Sequence, residues 1–244
     1  LDGTVSFTGN VDNFYLVNPM TVRAASGAAI RFNQTAGTPG LGFNLNGKTA
    51  TFEGDVAFAT SGIGNSGNVV VNSGTLGLNA PNIYTGSTTI NGGTLALAGS
   101  GQLYSTLNWA NATITINSGG TLQVDRWDGD GSLGQLNYNQ GNLVINGGTI
   151  RYTGNTNGTG DGTGFVIGAS GATLESAAPA GQVWNINASP NPSYGIAGNG
   201  GALTLAGSGD GMLTKTVSGT GALVKNGSGK WTPSATNTYT GTTT

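Results

Sequence analysis

One short phrase recurs along the chain and limits what the chain can become. Val71-Asn72-Ser73-Gly74-Thr75-Leu76-Gly77-Leu78 returns as Ile90-Asn91-Gly92-Gly93-Thr94-Leu95-Ala96-Leu97. It returns again as Ile116-Asn117-Ser118-Gly119-Gly120-Thr121-Leu122-Gln123-Val124 and as Ile145-Asn146-Gly147-Gly148-Thr149-Ile150-Arg151-Tyr152, with a weaker copy at 167–174. Each copy reads as a strand end, a tight turn of small residues, and a second strand whose apolar residues alternate. The Thr that follows the turn stands at 75, 94, 121 and 149, so the steps are 19, 27 and 28 residues. A strand-turn-strand unit returning at this loose period predicts a solenoid, in which each turn buries its inner face against its neighbours.

Composition narrows the chemistry. Charged residues are 7% of the 244, against roughly a quarter in an ordinary soluble domain, and 46 residues are Gly. The alternating strands supply a core, which argues against a disordered polar tract. Net charge is -2 with no basic run, which argues against a nucleic-acid partner. There is no Cys, hence no disulfide framework, and no His, the commonest general base and transition-metal ligand. No apolar run reaches membrane-spanning length.

The chain divides into three stretches. Residues 1–60 carry six of the seven Phe and read as short strands at 3–7, 14–17, 20–24, 28–32, 41–45, 50–52 and 56–59. They are expected to form coils with a bulkier core; a separate small β domain is the alternative. Residues 61–152 are the regular part. In Thr113-Ile114-Thr115-Ile116 the period of two is plain, and Leu76, Leu95 and Leu122 are expected to stack as an interior ladder. Residues 153–244 continue less regularly, with a proline-bearing detour at 177–192 that contains Trp184. No segment reads as a helix. Asn at the same corner of successive turns is expected either to stack as an amide ladder or simply to tolerate the turn.

With these strands in place, a family resemblance emerges. Residues 219–232 (GTGALVKNGSGKWT), followed by 237–244 (NTYTGTTT), resemble the autotransporter-associated β-strand repeat of bacterial autotransporter passenger domains, and 82–97 (NIYTGSTTINGGTLAL) looks like its second half. Clear copies cover roughly half of the chain. The resemblance implies an all-β fold, a single-stranded right-handed parallel β-helix, secreted and held on the surface of a Gram-negative-like cell. Such repeats mostly form a stalk. The chain departs from the pattern at Trp231-Thr232-Pro233-Ser234, and no region is like the membrane-embedded barrel.

The two ends fit the phrase together. Tyr239-Thr240-Gly241-Thr242-Thr243-Thr244 joined to Leu1-Asp2-Gly3-Thr4-Val5-Ser6-Phe7 reproduces 84–97 with one residue missing. Copies are therefore expected to stack head to tail by strand complementation, since a heterologous contact that repeats gives an open filament. The alternatives are an excerpt from a longer repetitive chain and chance likeness.

Three further sets of residues bear on function. Trp109, Trp127, Tyr138 and Trp184 lie in or near insertions, together with Tyr104, Tyr194 and Trp231; they suit either glycan or surface binding or the covering of a coil edge. Asp125, Asp128 and Asp130 offer hard oxygen ligands at short spacing, so calcium is the one cofactor considered; their spacing matches neither an EF-hand nor a periodic Asp nonapeptide, and a solvated acidic turn is the alternative. The same carboxylates, with Asp161, are the candidates for a glycan lyase or hydrolase, which needs two carboxylates across a groove. Lys215, Lys225 and Lys230 read as a weak basic stripe or as edge protection. Taken together the sequence favours a non-enzymatic structural or adhesive fibre subunit, followed by a monomeric glycan- or surface-binding module and then by an enzyme.

Overall fold

The computed structural model describes residues 4–9, 14–34, 42–103, 112–127, 132–133, 142–155, 158–160, 164–186 and 195–244. Its strands collect into long parallel sheets. Sheet I has ten strands, from Thr4–Gly9 to Leu223–Lys225, and sheet II has nine, from Met20–Arg23 to Val217–Gly219. Two shorter sheets take the third place in the rotation. One holds Phe14–Tyr15, Phe43–Asn44 and Ile63–Gly64; the other holds Gly158–Gly160, Val183–Ile186, Asp210–Leu213 and Trp231–Pro233. The pairings are parallel in all four.

Chain order explains the parallel pairing. Ala29–Gln34 lies in sheet I, Phe43–Asn44 on the third side and Lys48–Glu53 in sheet II, before Asp55–Phe58 returns to sheet I beside its predecessor. Between 78 and 143 the third side keeps its place through single backbone bonds. Ile83 N–H donates to Ile63 O (2.9 Å), Asn82 N–H to Gln102 O (2.8 Å) and Leu103 N–H to Ser132 O (2.9 Å). The long steps of the sequence fall between Leu97 and Ile114 and between Val124 and Leu143, between a sheet I strand and the next sheet II strand. This all-β arrangement is compatible with a parallel β-helix. Ten strands at about 4.8 Å each make a stack roughly 45 Å high.

The alternation seen in the sequence becomes continuous interior columns. In sheet I, Ile30, Val56, Leu76, Leu95, Leu122, Ile150, Leu174 and Leu205 follow one another in register. The expected ladder of Leu76, Leu95 and Leu122 is therefore present, with all three fully buried. In sheet II the matching column is Val22, Phe52, Val71, Ile90, Ile116, Ile145 and Ile167. The strands from Thr4–Gly9 to Asp55–Phe58 join the same sheets and the third side, and Phe32, Phe43, Phe52 and Phe58 fill the core there. The Phe32 and Phe58 rings stack at 4.4 Å, and Phe43 meets both edge-on at 5.6 Å.

The proline-bearing stretch is not a detour throughout. Val183–Ile186 is a strand of the third side, with Trp184 and Ile186 inside. Among the described residues no helix is long and apolar enough to cross a membrane, which leaves β-barrels unaddressed.

Candidate functional site

The corner between sheets II and I carries the most organised polar structure. Asn91 Nδ2 donates to Asn72 Oδ1 (3.1 Å), and Asn117 Nδ2 donates to Asn91 Oδ1 (2.8 Å). Of the two readings of the corner asparagines, the amide ladder is the one present. It runs into a charged end: Asn72 Nδ2 donates to Glu53 Oε1 (3.4 Å), and Glu53 Oε2 accepts from Arg23 Nε (2.6 Å). Every amide donor in the column points toward the Glu53 carboxylate. At the far end, Asn146 is in register with Asn117, but its Oδ1 accepts instead from Ser170 N–H (3.2 Å). Because these bonds are exposed, each is worth little. Asn91→Ala, which removes two of them, is expected to cost about 0.5–1.5 kcal/mol in urea unfolding.

Beside the ladder the corner opens into a groove, because successive turns differ in length. The first corner takes five residues, 24–28, closed by Ala28 N–H donating to Ala25 O (3.0 Å). The next has Gly54 alone between Lys48–Glu53 and Asp55–Phe58. The wide turn overhangs the tight one and leaves a recess of about 390 Å³ lined by Arg23, Ser26, Glu53, Asp55 and Ser73 among small residues. Asp55 Oδ1 accepts from Thr75 N–H (2.9 Å), which fixes that carboxylate at the rim. A second, smaller hollow of about 120 Å³ continues from Asp55 across the outer face of sheet I, over Ala29, Ala57 and Gly77 and beside Arg31. Sequence reasoning passed over this site. Its signal was faint but real: in a chain with so few charges, Arg23 and Glu53 each end a strand just before a corner, one rung apart.

The residues singled out from the sequence fall elsewhere. Trp127 and Trp184 do not present their rings to a ligand: they are 3% and 0% exposed. With Tyr152 and Trp231 they form an interior cluster, in which Trp184 meets Trp127 at 5.3 Å, Tyr152 at 5.5 Å and Trp231 at 5.7 Å. The correction has a plain cause, since late coils whose columns run out into Ser176, Gly198, Gly207 and Gly219 leave interior volume that indoles fill. Trp231 is buried as well, and its Nε1–H donates to Ala206 O (3.0 Å). Trp109 and Tyr138 lie outside the described residues.

The acidic set is split in the same way. Asp125 Oδ2 accepts from Gly99 N–H (2.8 Å) and Oδ1 lies 3.7 Å from Arg126 Nε, so this carboxylate ties two rungs together. Asp128, Asp130 and Asp161 lie outside the described residues. Among the described residues no group of three His, Cys, Asp or Glu side chains gathers around a metal-sized space. Lys225 and Lys230 are exposed, whereas Lys215 is 2% exposed and cannot belong to a surface stripe.

At the ends, the two copies of the tyrosine phrase are locally alike. Asn82 Oδ1 accepts from Ile63 N–H (2.8 Å) and Tyr84 Oη meets Thr88 Oγ1 at 2.5 Å. Asn237 Oδ1 accepts from Val217 N–H (2.9 Å) and Tyr239 Oη meets Thr243 Oγ1 at 2.7 Å. They sit on different faces, however. Thr88 pairs with Val69 in sheet II, whereas Thr243 pairs with Leu223 of sheet I. The bonds from Thr238 and Thr240 to Val217 and Gly219 place Tyr239 and its neighbours along sheet II. At the other end Thr4, Val5 and Phe7 belong to the edge strand Thr4–Gly9 of sheet I, while Leu1 and Gly3 lie outside the described residues. In the internal copy the strand after the phrase takes the next face in the rotation.

Comparison with known proteins supplies one similarity. Over 168 residues the chain is 30% identical to the adhesin BmaC autotransporter of Brucella suis biovar 1 (strain 1330), a match that takes in 68% of this chain and 3% of that protein. The chain thus corresponds to a small part of the length of the curated relative it matches. No protein-family model matches the chain. No solved structure matches it either. The strand phrases and this similarity converge on one kind of protein: for two-thirds of its length the chain is similar to a stretch of an autotransporter adhesin.

Proposed function

We propose that the chain is a stretch of a surface-displayed autotransporter passenger, a single right-handed parallel β-helix that serves as stalk and adhesive surface outside the cell. The observation that carries this reading is the identity with an autotransporter adhesin across 168 residues. The rotation of strands through parallel sheets supports it, because a coil of this kind exposes a long side area while burying a narrow core. The hand follows the general preference of crossovers between parallel strands. No catalytic residue and no cofactor is assigned, and the reading is non-enzymatic. Within it, 1–60 are the coils with the bulkiest core, 61–152 the regular rungs and 153–244 the coils filled by indoles.

The proposed partner is a further β-coil, from a second copy or from the adjoining stretch of a longer chain, meeting Thr4, Val5 and Phe7 at one end and 239–244 at the other. An open sheet edge offers unpaired N–H and C=O groups that favour such addition. Because the terminal phrase lies one face further round than its internal copy, a join that completes it turns each unit by one face, roughly a third of a turn, about the long axis.

The test is cellular. Antibody raised against residues 1–244 is expected to label intact cells that make the protein and to reduce their attachment to host matrix, and protease applied outside is expected to strip the label. Labelling seen only after lysis would overturn the reading.

A further inference from the structure

We propose that the corner groove of Arg23, Glu53 and Asp55 is a saccharide-binding site that takes the end of a neutral oligosaccharide. The inference deepens the adhesin reading and rests on it only for the source of the sugar.

The chemistry of the walls is the first ground. A sugar ring presents closely spaced hydroxyls, each both donor and acceptor, along an edge. The recess meets such an edge with a guanidinium that only donates, two carboxylates that accept, and the hydroxyls of Ser26 and Ser73 that do either. Charge-assisted bonds of this sort are the strong ones. The acceptors are already aimed, since Asp55 is held by Thr75 N–H and Glu53 by Asn72 and Arg23. A site fixed before its ligand arrives loses less ordering entropy on binding. Arg23 remains movable: its side chain is 70% exposed, so its pairing with Glu53 is screened and weak, and exchanging part of it for a ligand costs little.

The shape of the walls is the second ground. A sugar also has a face of C–H groups. The hollow that leaves the recess at Asp55 supplies a matching shelf, where Ala57 and Gly77 carry no long side chain and Arg31 forms one border. Polar recess and apolar shelf share Asp55, so one ring can reach both. The recess lies within the range of about 300–1,000 Å³ usual for small-ligand sites. A metal ion is the poorer occupant, because the carboxylates are two and one of them is already paired with the Arg23 guanidinium.

Titration of the isotope-labelled chain with maltotriose, cellotriose, chitotriose and mannotriose, followed by amide NMR shifts, tests the site. One of these sugars is expected to give saturable shifts confined to residues 23–27, 53–57 and 73–77. Arg23→Ala and Ser26→Trp, both at exposed positions, are each expected to weaken that binding at least tenfold with the circular dichroism spectrum unchanged. The proposal falls if none of the four sugars gives saturable shifts, if the shifts lie elsewhere, or if both variants bind as the parent does. Tighter binding of spermidine than of any sugar would overturn it in favour of a cationic ligand. Failure of surface labelling with sugar binding intact would overturn the adhesin reading and leave the site standing.

Discussion

Trp184→Ala is expected to lower stability in urea unfolding by about 3–5 kcal/mol. The side chain is fully buried, and three aromatic rings from separate parts of the chain converge on it: Trp127 beyond the end of strand Gly120–Val124, Tyr152 at the end of a sheet I strand, and Trp231 in the last strand of the third side. Removing it opens a cavity the size of an indole and forfeits the edge-to-face and stacked contacts, each worth about 0.5–1.5 kcal/mol beyond area. Relaxation into the space is restricted by the backbone on either side. Along the third side Trp184 is preceded in register by Gly158 and followed by Gly211 and Trp231, so bulky and empty positions alternate. A Cβ at Gly211 would lie 2.5 Å from Trp231 Cε3, which shows how closely the indoles already use that space. Fluorescence from the three remaining tryptophans provides a second readout, expected to shift to the red as water reaches Trp127 and Trp231. A loss below about 1 kcal/mol would mean that these coils do not depend on the cluster.

That cluster also marks where the sequence stopped being readable. Leu76, Leu95 and Leu122 were visible because a glycine turn precedes each at a fixed offset, and register then follows from the phrase itself. Trp184 and Ile186 alternate just as well, with Val183 and Asn185 outside them, but no Asn-Gly turn introduces them and prolines follow. Period alone, over four residues, did not outweigh those breakers. Rarity misled as well: a tryptophan among Gly, Thr and Asn looks like a surface feature, yet thin coils lined by Gly and Ser need it inside. The corner groove was illegible for a different reason. It exists only because a five-residue turn lies over a one-residue turn, and that mismatch becomes visible once the rungs are aligned. The amide ladder, by contrast, was legible as one of two options, since equal spacing from the turn puts Asn72, Asn91 and Asn117 on one line. The face occupied by the terminal phrase was hidden, because identical local bonding serves on either of two corners.

Gly74→Ala is expected to be among the most costly single methyl groups that can be added to the regular rungs. Gly74 has φ +67°, and a Cβ there would lie 2.3 Å from Gly54 C and 2.4 Å from Gly54 O, both backbone atoms of the preceding turn. Neither atom can step aside without lifting one rung off the next. The left-handed conformation contributes about 1–3 kcal/mol, and the forced separation adds a similar amount. Two neighbours divide these causes. Gly27 has φ +78° with open space around its absent Cβ, so Gly27→Ala carries the conformational cost alone, about 1–2 kcal/mol. At Gly77 the nearest atom to an added methyl is Ala57 Cβ at 3.7 Å, an ordinary contact, and Gly77→Ala is expected to change stability by less than about 0.5 kcal/mol. Urea midpoints should therefore fall in the order Gly77, Gly27, Gly74, with the last most affected. If Gly74→Ala matched Gly27→Ala, the turns would not be in contact from rung to rung, and the close stacking that the proposed stalk requires would be lost with it.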